Sequence, residues 1–296
     1  MSFFTAQEQM PAGKGFALFH GQHVAILLLI GGVLACGVWR YRKSVHRNAW
    51  RWGIAMTLCL LEILKQVVLL TTHQFGKQYL PFDLCGISIL FCLLEIWKPC
   101  AYFGELLYSL SLPGTLLALF FPNWNRLPLW NFFCIHSFLF HTLLLLLPVL
   151  LLADGTLQPN WKRLPVSFLT LAGCSVVVAW LNRLWGTNFF FLSQPSKGSP
   201  LVWFADWFGA SLYWIGFPIL IVIIWVLLYV PVGIFQHRKQ KSRSCSQFRT
   251  APAFFIGFGK ITLKSFVCNR FRQWFPQFFS VVPFRRFPRI IGVTQC

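Results

Sequence analysis

Residues 130–152 read WNFFCIHSFLFHTLLLLLPVLLL, twenty-three positions without a single Asp, Glu, Lys or Arg. The hydrocarbon core of a bilayer is about 30 Å thick and takes about 20 apolar helical residues to cross. This stretch is therefore long enough to span, and its polar members, including His136 and His141, have to find partners inside the protein. Working outward in both directions, the same rule places further spans near 19–39, 53–72, 80–97, 101–121, 165–185 and 208–235. The predicted fold is all-α, a polytopic membrane bundle of about seven helices over residues 1–236, followed by a tail over 237–296. Lys98-Pro99-Cys100 is all that separates the third and fourth spans, which predicts a tight antiparallel hairpin.

Composition agrees. Hydrophobic residues make up 56 % of the chain and charged residues 11 %, about half the charged share of an ordinary globular protein. A soluble fold is excluded on that ground. The net charge of +19 does not point to nucleic acid, because no RNA- or DNA-binding consensus accompanies it. Twelve Lys and Arg lie after His237, in a tail with no acidic residue, and most of the rest flank spans, where they meet anionic lipid headgroups. The tail is Phe-rich and lacks a run long enough to span. It reads as poorly ordered, as interfacial, or as an out-of-frame extension. No basic n-region precedes the first apolar run, so that run reads as a retained span rather than a signal peptide.

Ten cysteines form no CxxC pair and match no zinc or disulfide framework, so neither a metal nor a cofactor is expected. Three helices carry polar stripes at helical spacing: Cys59, Glu62, Gln66 and His73 on the second span; Cys85, Ser88, Cys92 and Glu95 on the third; Cys134, Ser137 and His141 on the fifth. Glu62 has Lys65 three residues on as a neutralising partner. A thiol beside an imidazole can lose its proton and become an acyl-accepting nucleophile, which makes Cys85 the candidate nucleophile. Depth along the spans favours His136 as its base and leaves His141 open.

Several short motifs stand in order along the chain: Phe19-His20-Gly21-Gln22-His23, Glu62, Leu80-Pro81-Phe82-Asp83-Leu84-Cys85, Leu112-Pro113-Gly114, Phe121-Pro122, Ile135 to His141, and Thr187-Asn188-Phe189-Phe190-Phe191-Leu192. In this order they resemble the YwaF-type integral membrane proteins, over about residues 16–236. The resemblance implies a seven-helix fold. In the family's eukaryotic branch it also implies acyl transfer between phospholipids by a Cys–His pair, matched here by Cys85 and His141. His136 is then the alternative base, and His23, Glu62 and Asn188 are supporting or substrate-binding groups. A membrane phospholipid is the expected substrate, and the expected location is a bacterial cytoplasmic (inner) membrane. Two further readings remain open at this stage: a transporter or binding protein with a polar intramembrane site around Glu62, and a non-catalytic structural membrane protein.

Arg40, Arg42, Lys43, Arg47 and Arg51 crowd the loop between the first two spans. Basic short loops stay in the cytoplasm, which places the N-terminus outside and the C-terminus inside. A reporter fused after Gly233 is expected to read cytoplasmic and one inserted at Gln194 external. An external signal after Gly233 would overturn the span count.

Overall fold

The computed structural model describes residues 3–250, apart from 197–198 and 210–211, with side chains described to residue 234. Residues Met1–Arg243 form one compact unit. The described residues are helical, with no strand among them. Six helices are long and apolar enough to cross a membrane. They are α1 (Gly21–Lys43), α2 (Arg47–Thr71), α4 (Ala101–Phe120), α5 (Phe132–Ala153), α6 (Leu164–Trp185) and α8 (Gly216–Thr250), whose apolar part ends at Ile234. Two are shorter, α3 (Leu84–Trp97) and α7 (Pro200–Phe208). The chain is an all-helical membrane protein. Of the tail predicted from residue 237, residues 251–296 lie outside the described residues.

Two of the predicted spans differ from expectation. The third was placed over 80–97, but its helix begins only at Leu84 and has 14 residues, about 21 Å at 1.5 Å per residue. Pro81 excludes Leu80, because the residue before a proline is pushed out of the helical region and Leu80 is extended with ψ 151°; Asp83 is extended as well, with ψ 159°. The span placed over 208–235 is broken at its start. Here α7 stops at Gly209, whose φ of 81° suits glycine, and the helix resumes only through a short turn over Tyr213–Ile215.

α5 is the hub. A helix that is apolar all round belongs inside a bundle, and Leu144, Leu147 and Leu150 are fully buried. Asn131 caps its start, with Oδ1 accepting from Phe133 N at 2.8 Å and Cys134 N at 3.4 Å, which satisfies two of the four donors a helix start leaves free. α4 is the other mostly buried helix. Pro113 has no N–H to give Ser109, one turn earlier, and the helix opens there into a π-helical turn over Leu107–Ser111. The carbonyl of Ser109 instead accepts from Trp225 Nε1 of α8 at 2.9 Å.

The end of the bundle that bears the basic loops is stapled by a compact polar network. Tyr41 OH donates to Asp154 Oδ2 at 2.6 Å, Arg51 Nη2 reaches the same oxygen at 2.5 Å, and Arg51 Nε donates to Tyr41 OH at 2.8 Å. Together these tie α1 and α2 to the end of α5. Burial works to raise the Asp154 pKa, but hydrogen bonds from Tyr41, Thr156 and Arg51 outweigh it and hold the carboxyl below its ordinary value. A depressed pKa means stability that is complete above the ordinary aspartate value of about 3.9 and fades as pH falls through the lower folded value. Asp154→Ala is expected to cost about 2–4 kcal/mol at pH 7. The gap in melting temperature between the two proteins in detergent should narrow as pH falls below about 4.

Candidate functional site

The Leu80–Cys85 motif forms an inward-folded turn at the end of the bundle opposite the basic loops. Lys77–Tyr79 make one tight helical turn, and Leu80 and Asp83 are extended. Irregular backbone at membrane depth survives only where protein satisfies it. Gln66 Nε2 of α2 accordingly donates to Tyr79 O at 2.8 Å, and Phe82 N to Leu80 O at 2.9 Å. Gly86 lets the turn fold back on the helix, since a Cβ there would sit 2.5 Å from Pro81 O. Cys85 is thereby the second residue of α3, in the turn whose amides lack intrahelical acceptors.

Asp83 stands at the N-cap of α3 but does not cap it. Its Oδ1 accepts from Phe190 N at 3.2 Å, fastening the loop after α6 onto α3. That loop is held from within by Asn182, whose side chain takes both the N–H and the C=O of Phe189 at 2.9 Å. Phe190 and Phe191 carry positive φ of 57° and 55°, conformations that cost non-glycine residues energy and recur at functional sites. Asn188 turns inward on its own loop, accepting from Ser193 N and Gln194 N and donating to Gln194 O.

The polar stripes of α2, α3 and α5 come together. Glu62 is paired with Lys65 at 2.8 Å and accepts from Gln66 Nε2 at 2.7 Å, so the partner expected three residues on is in place. The Lys65 ammonium lies within electrostatic reach of Asp83, His136 and His141. Asp83 is exposed, and Cys85 and His141 are half-buried. His73 stands apart from them: α2 ends at Thr71, and His73 is exposed with φ of 54°.

His141 Nδ1 lies 2.7 Å from Ser137 O. A carbonyl can only accept, so Nδ1 carries the proton and the neutral ring keeps its lone pair on Nε2. The indole of Trp124 stacks on this ring, centroids 4.8 Å apart at 24°. Both candidate imidazoles make their hydrogen bonds to main-chain carbonyls rather than to Cys85 Sγ. The Thr115 hydroxyl of α4 lies beside this thiol without hydrogen-bond geometry, and Thr115 Oγ1 has no conventional partner. His136 faces α2, with Nε2 on Leu61 O at 3.0 Å. His23 is fully buried and taken up by main chain on both sides, accepting from Phe19 N and pairing Nε2 with Leu119 O, each at 3.0 Å. It joins the start of α1 to the end of α4.

Sequence reasoning passed over Trp124, Thr115 and the N-terminal segment. Residues 3–19 cap the site end of the bundle. Gln7 Nε2 donates to Asn123 O at 2.8 Å, Phe16 N to Asn125 O at 3.0 Å, and Gln74 Oε1 accepts from Ala6 N at 2.7 Å. Trp124 lies between the two pinned residues. No periodicity could announce these contacts, which join positions 68 or more residues apart.

The family model of the TMEM164 family matches residues 17–229, most of the chain, and the protein belongs to that family. Comparison with curated proteins gave no match, nor did comparison with solved structures.

A Cβ on Gly15 would lie 2.0 Å from Asn125 O, backbone against backbone. Gly15→Ala is therefore expected to lift the cap from the Trp124 loop and to destabilise the protein by about 1–3 kcal/mol. A fall in melting temperature together with faster protease cleavage within residues 3–19 would confirm it, and wild-type behaviour in both would refute it.

Proposed function

We propose that this member of the TMEM164 family is an acyl-transfer enzyme of the membrane, acting on phospholipid esters through Cys85 as nucleophile and His141 as base, as its resemblance to the YwaF-type proteins implies. The observation that carries this reading is the His141 tautomer. With Nδ1 committed to Ser137 O, the lone pair that a general base needs is on Nε2. His136 likewise has one nitrogen on a carbonyl, Nε2 on Leu61 O, and keeps a lone pair on Nδ1; it is the weaker candidate because it faces α2 and because the resemblance matches His141.

In the proposed reaction the Cys85 thiol turns from Thr115 and gives its proton to His141 Nε2 as substrate binds. Catalytic contacts that are loose in the empty enzyme commonly tighten at that stage. The thiolate attacks the ester carbonyl carbon, forming a C–S bond while the carbonyl π pair moves to oxygen. Collapse breaks the C–O bond, and the imidazolium protonates the departing lysophospholipid alkoxide. A second hydroxyl, from another lysophospholipid or from water, reverses the steps and frees Cys85. Cys85 lies in the first turn of α3, at the end of the bundle away from the basic loops, so with those loops in the cytoplasm it belongs to the opposite leaflet. The Glu62 carboxylate on which a transport reading would rest is paired with Lys65 and bonded by Gln66.

The test uses purified protein with labelled phosphatidylcholine in nanodiscs. A hydroxylamine-sensitive acyl group is expected on the Cys85 peptide, absent from Cys85→Ala. In His141→Ala, acylation should slow by about 10²–10⁴-fold. Full turnover by Cys85→Ala would refute the proposal.

A further inference from the structure

Buried hydroxyls on the described membrane helices mostly find a partner within the bundle. Ser88, Ser109 and Thr142 each donate to the carbonyl one turn earlier, at 2.7 Å, and Ser111 donates to Ser88 at 2.8 Å. Thr115, with no exposed surface, does none of these, and its Oγ1 has no conventional partner. A second buried donor is in the same condition. Trp124 is 7 % exposed, and its Nε1 is without an acceptor. An unpaired buried donor costs about 1–3 kcal/mol, and in a membrane helix no solvent offsets it. Such atoms call for an explanation.

Their positions supply one. Thr115 stands at the Cys85 thiol and Trp124 at the His141 ring, so one unspent donor flanks the nucleophile and the other the base. We propose that Thr115 Oγ1 and Trp124 Nε1 form a binding site for the carbonyl oxygen of the acyl ester, donating to it as it becomes an oxyanion. The inference rests on the Cys85–His141 reading and assigns that site its electrophile-binding half. The pair binds a carboxylic-ester or thioester oxygen, with Thr115–OH and Trp124 N–H as donors. Both are neutral, so they add no charge to a membrane interior. Donors held in place and left unpaired until charge develops are what electrostatic stabilisation of a tetrahedral intermediate requires. The element that holds Trp124 is the N-terminal cap, through Asn123 O and Asn125 O.

The experiment compares two reagents at the same thiol, read by mass spectrometry of the Cys85 peptide in the full-length protein. p-Nitrophenyl butyrate acylates through a tetrahedral oxyanion, whereas iodoacetamide alkylates by direct displacement and forms none. Thr115→Val and Trp124→Phe are each expected to slow acylation about 10- to 10³-fold more than they slow alkylation. Thr115→Ser is expected to restore acylation. Acylation and alkylation falling together in both variants would overturn the proposal in favour of a packing role. Unchanged acylation in both variants, with Cys85 acylated in wild type, would overturn it and leave the nucleophile assignment standing. Absence of acylation at Cys85 in the wild-type protein would overturn both.

Discussion

Hydrocarbon does not solvate polar groups, and in this chain that constraint decides how helices meet as well as where they form. Helices in lipid gain nothing from burying apolar surface against one another, so packing and interhelical hydrogen bonds hold them together. Pro113 shows how one residue propagates through such a structure. It opens a π-helical turn in α4 and frees the Ser109 carbonyl, which Trp225 of α8 then takes. Nearby, Tyr108 donates to Leu228 O at 2.8 Å, and Tyr229 bonds the buried Glu105 carboxylate. Glu105 is completed by Asn160 N at 3.0 Å and by Arg163. The seat of α8 is thus set by what α4 cannot satisfy alone.

The same constraint shapes the site. Pro81 keeps Leu80 out of α3 and Asp83 is extended at its N-cap, and this irregular segment persists because Gln66 and the chain's own turns meet its backbone groups. Shortening α3 brings Cys85 into its first turn, where Thr115 of the kinked α4 stands beside it. Two prolines on neighbouring helices therefore create the local geometry around the thiol.

The spans were legible because twenty apolar residues in a row have few other uses, and the polar stripes were legible because helical spacing repeats. The start of α3 was misread for a local reason. Leu80 and Phe82 are as apolar as any span, and hydropathy does not register that Pro81 forbids a helix at the residue before it. The break at Gly209 escaped in the same way. Cys85 and His141 stood out by motif, and Glu62 by its cost in lipid. His23 looked equally polar, yet both its nitrogens are consumed by main chain, an outcome no one-dimensional pattern separates from a reactive histidine.

Trp124 belongs to a different kind of information. It lies in a loop, outside every stripe, and acquires meaning only because the chain's first residues return to bracket it. Gln7 and Phe16 hold the carbonyls of Asn123 and Asn125, and the indole between them stacks on the imidazole whose other edge is fixed by Ser137. A histidine held by one hydrogen bond can still swing about it. The stacked indole removes that freedom and settles where Nε2 points. The N-terminal segment, which crosses no membrane and carries no candidate catalytic residue, in this way orients the proposed base from outside the bundle. Its apolar anchors Ala6, Met10 and Phe16 are buried against the core, so the orientation of His141 is tied to the packing of the whole site end of the protein.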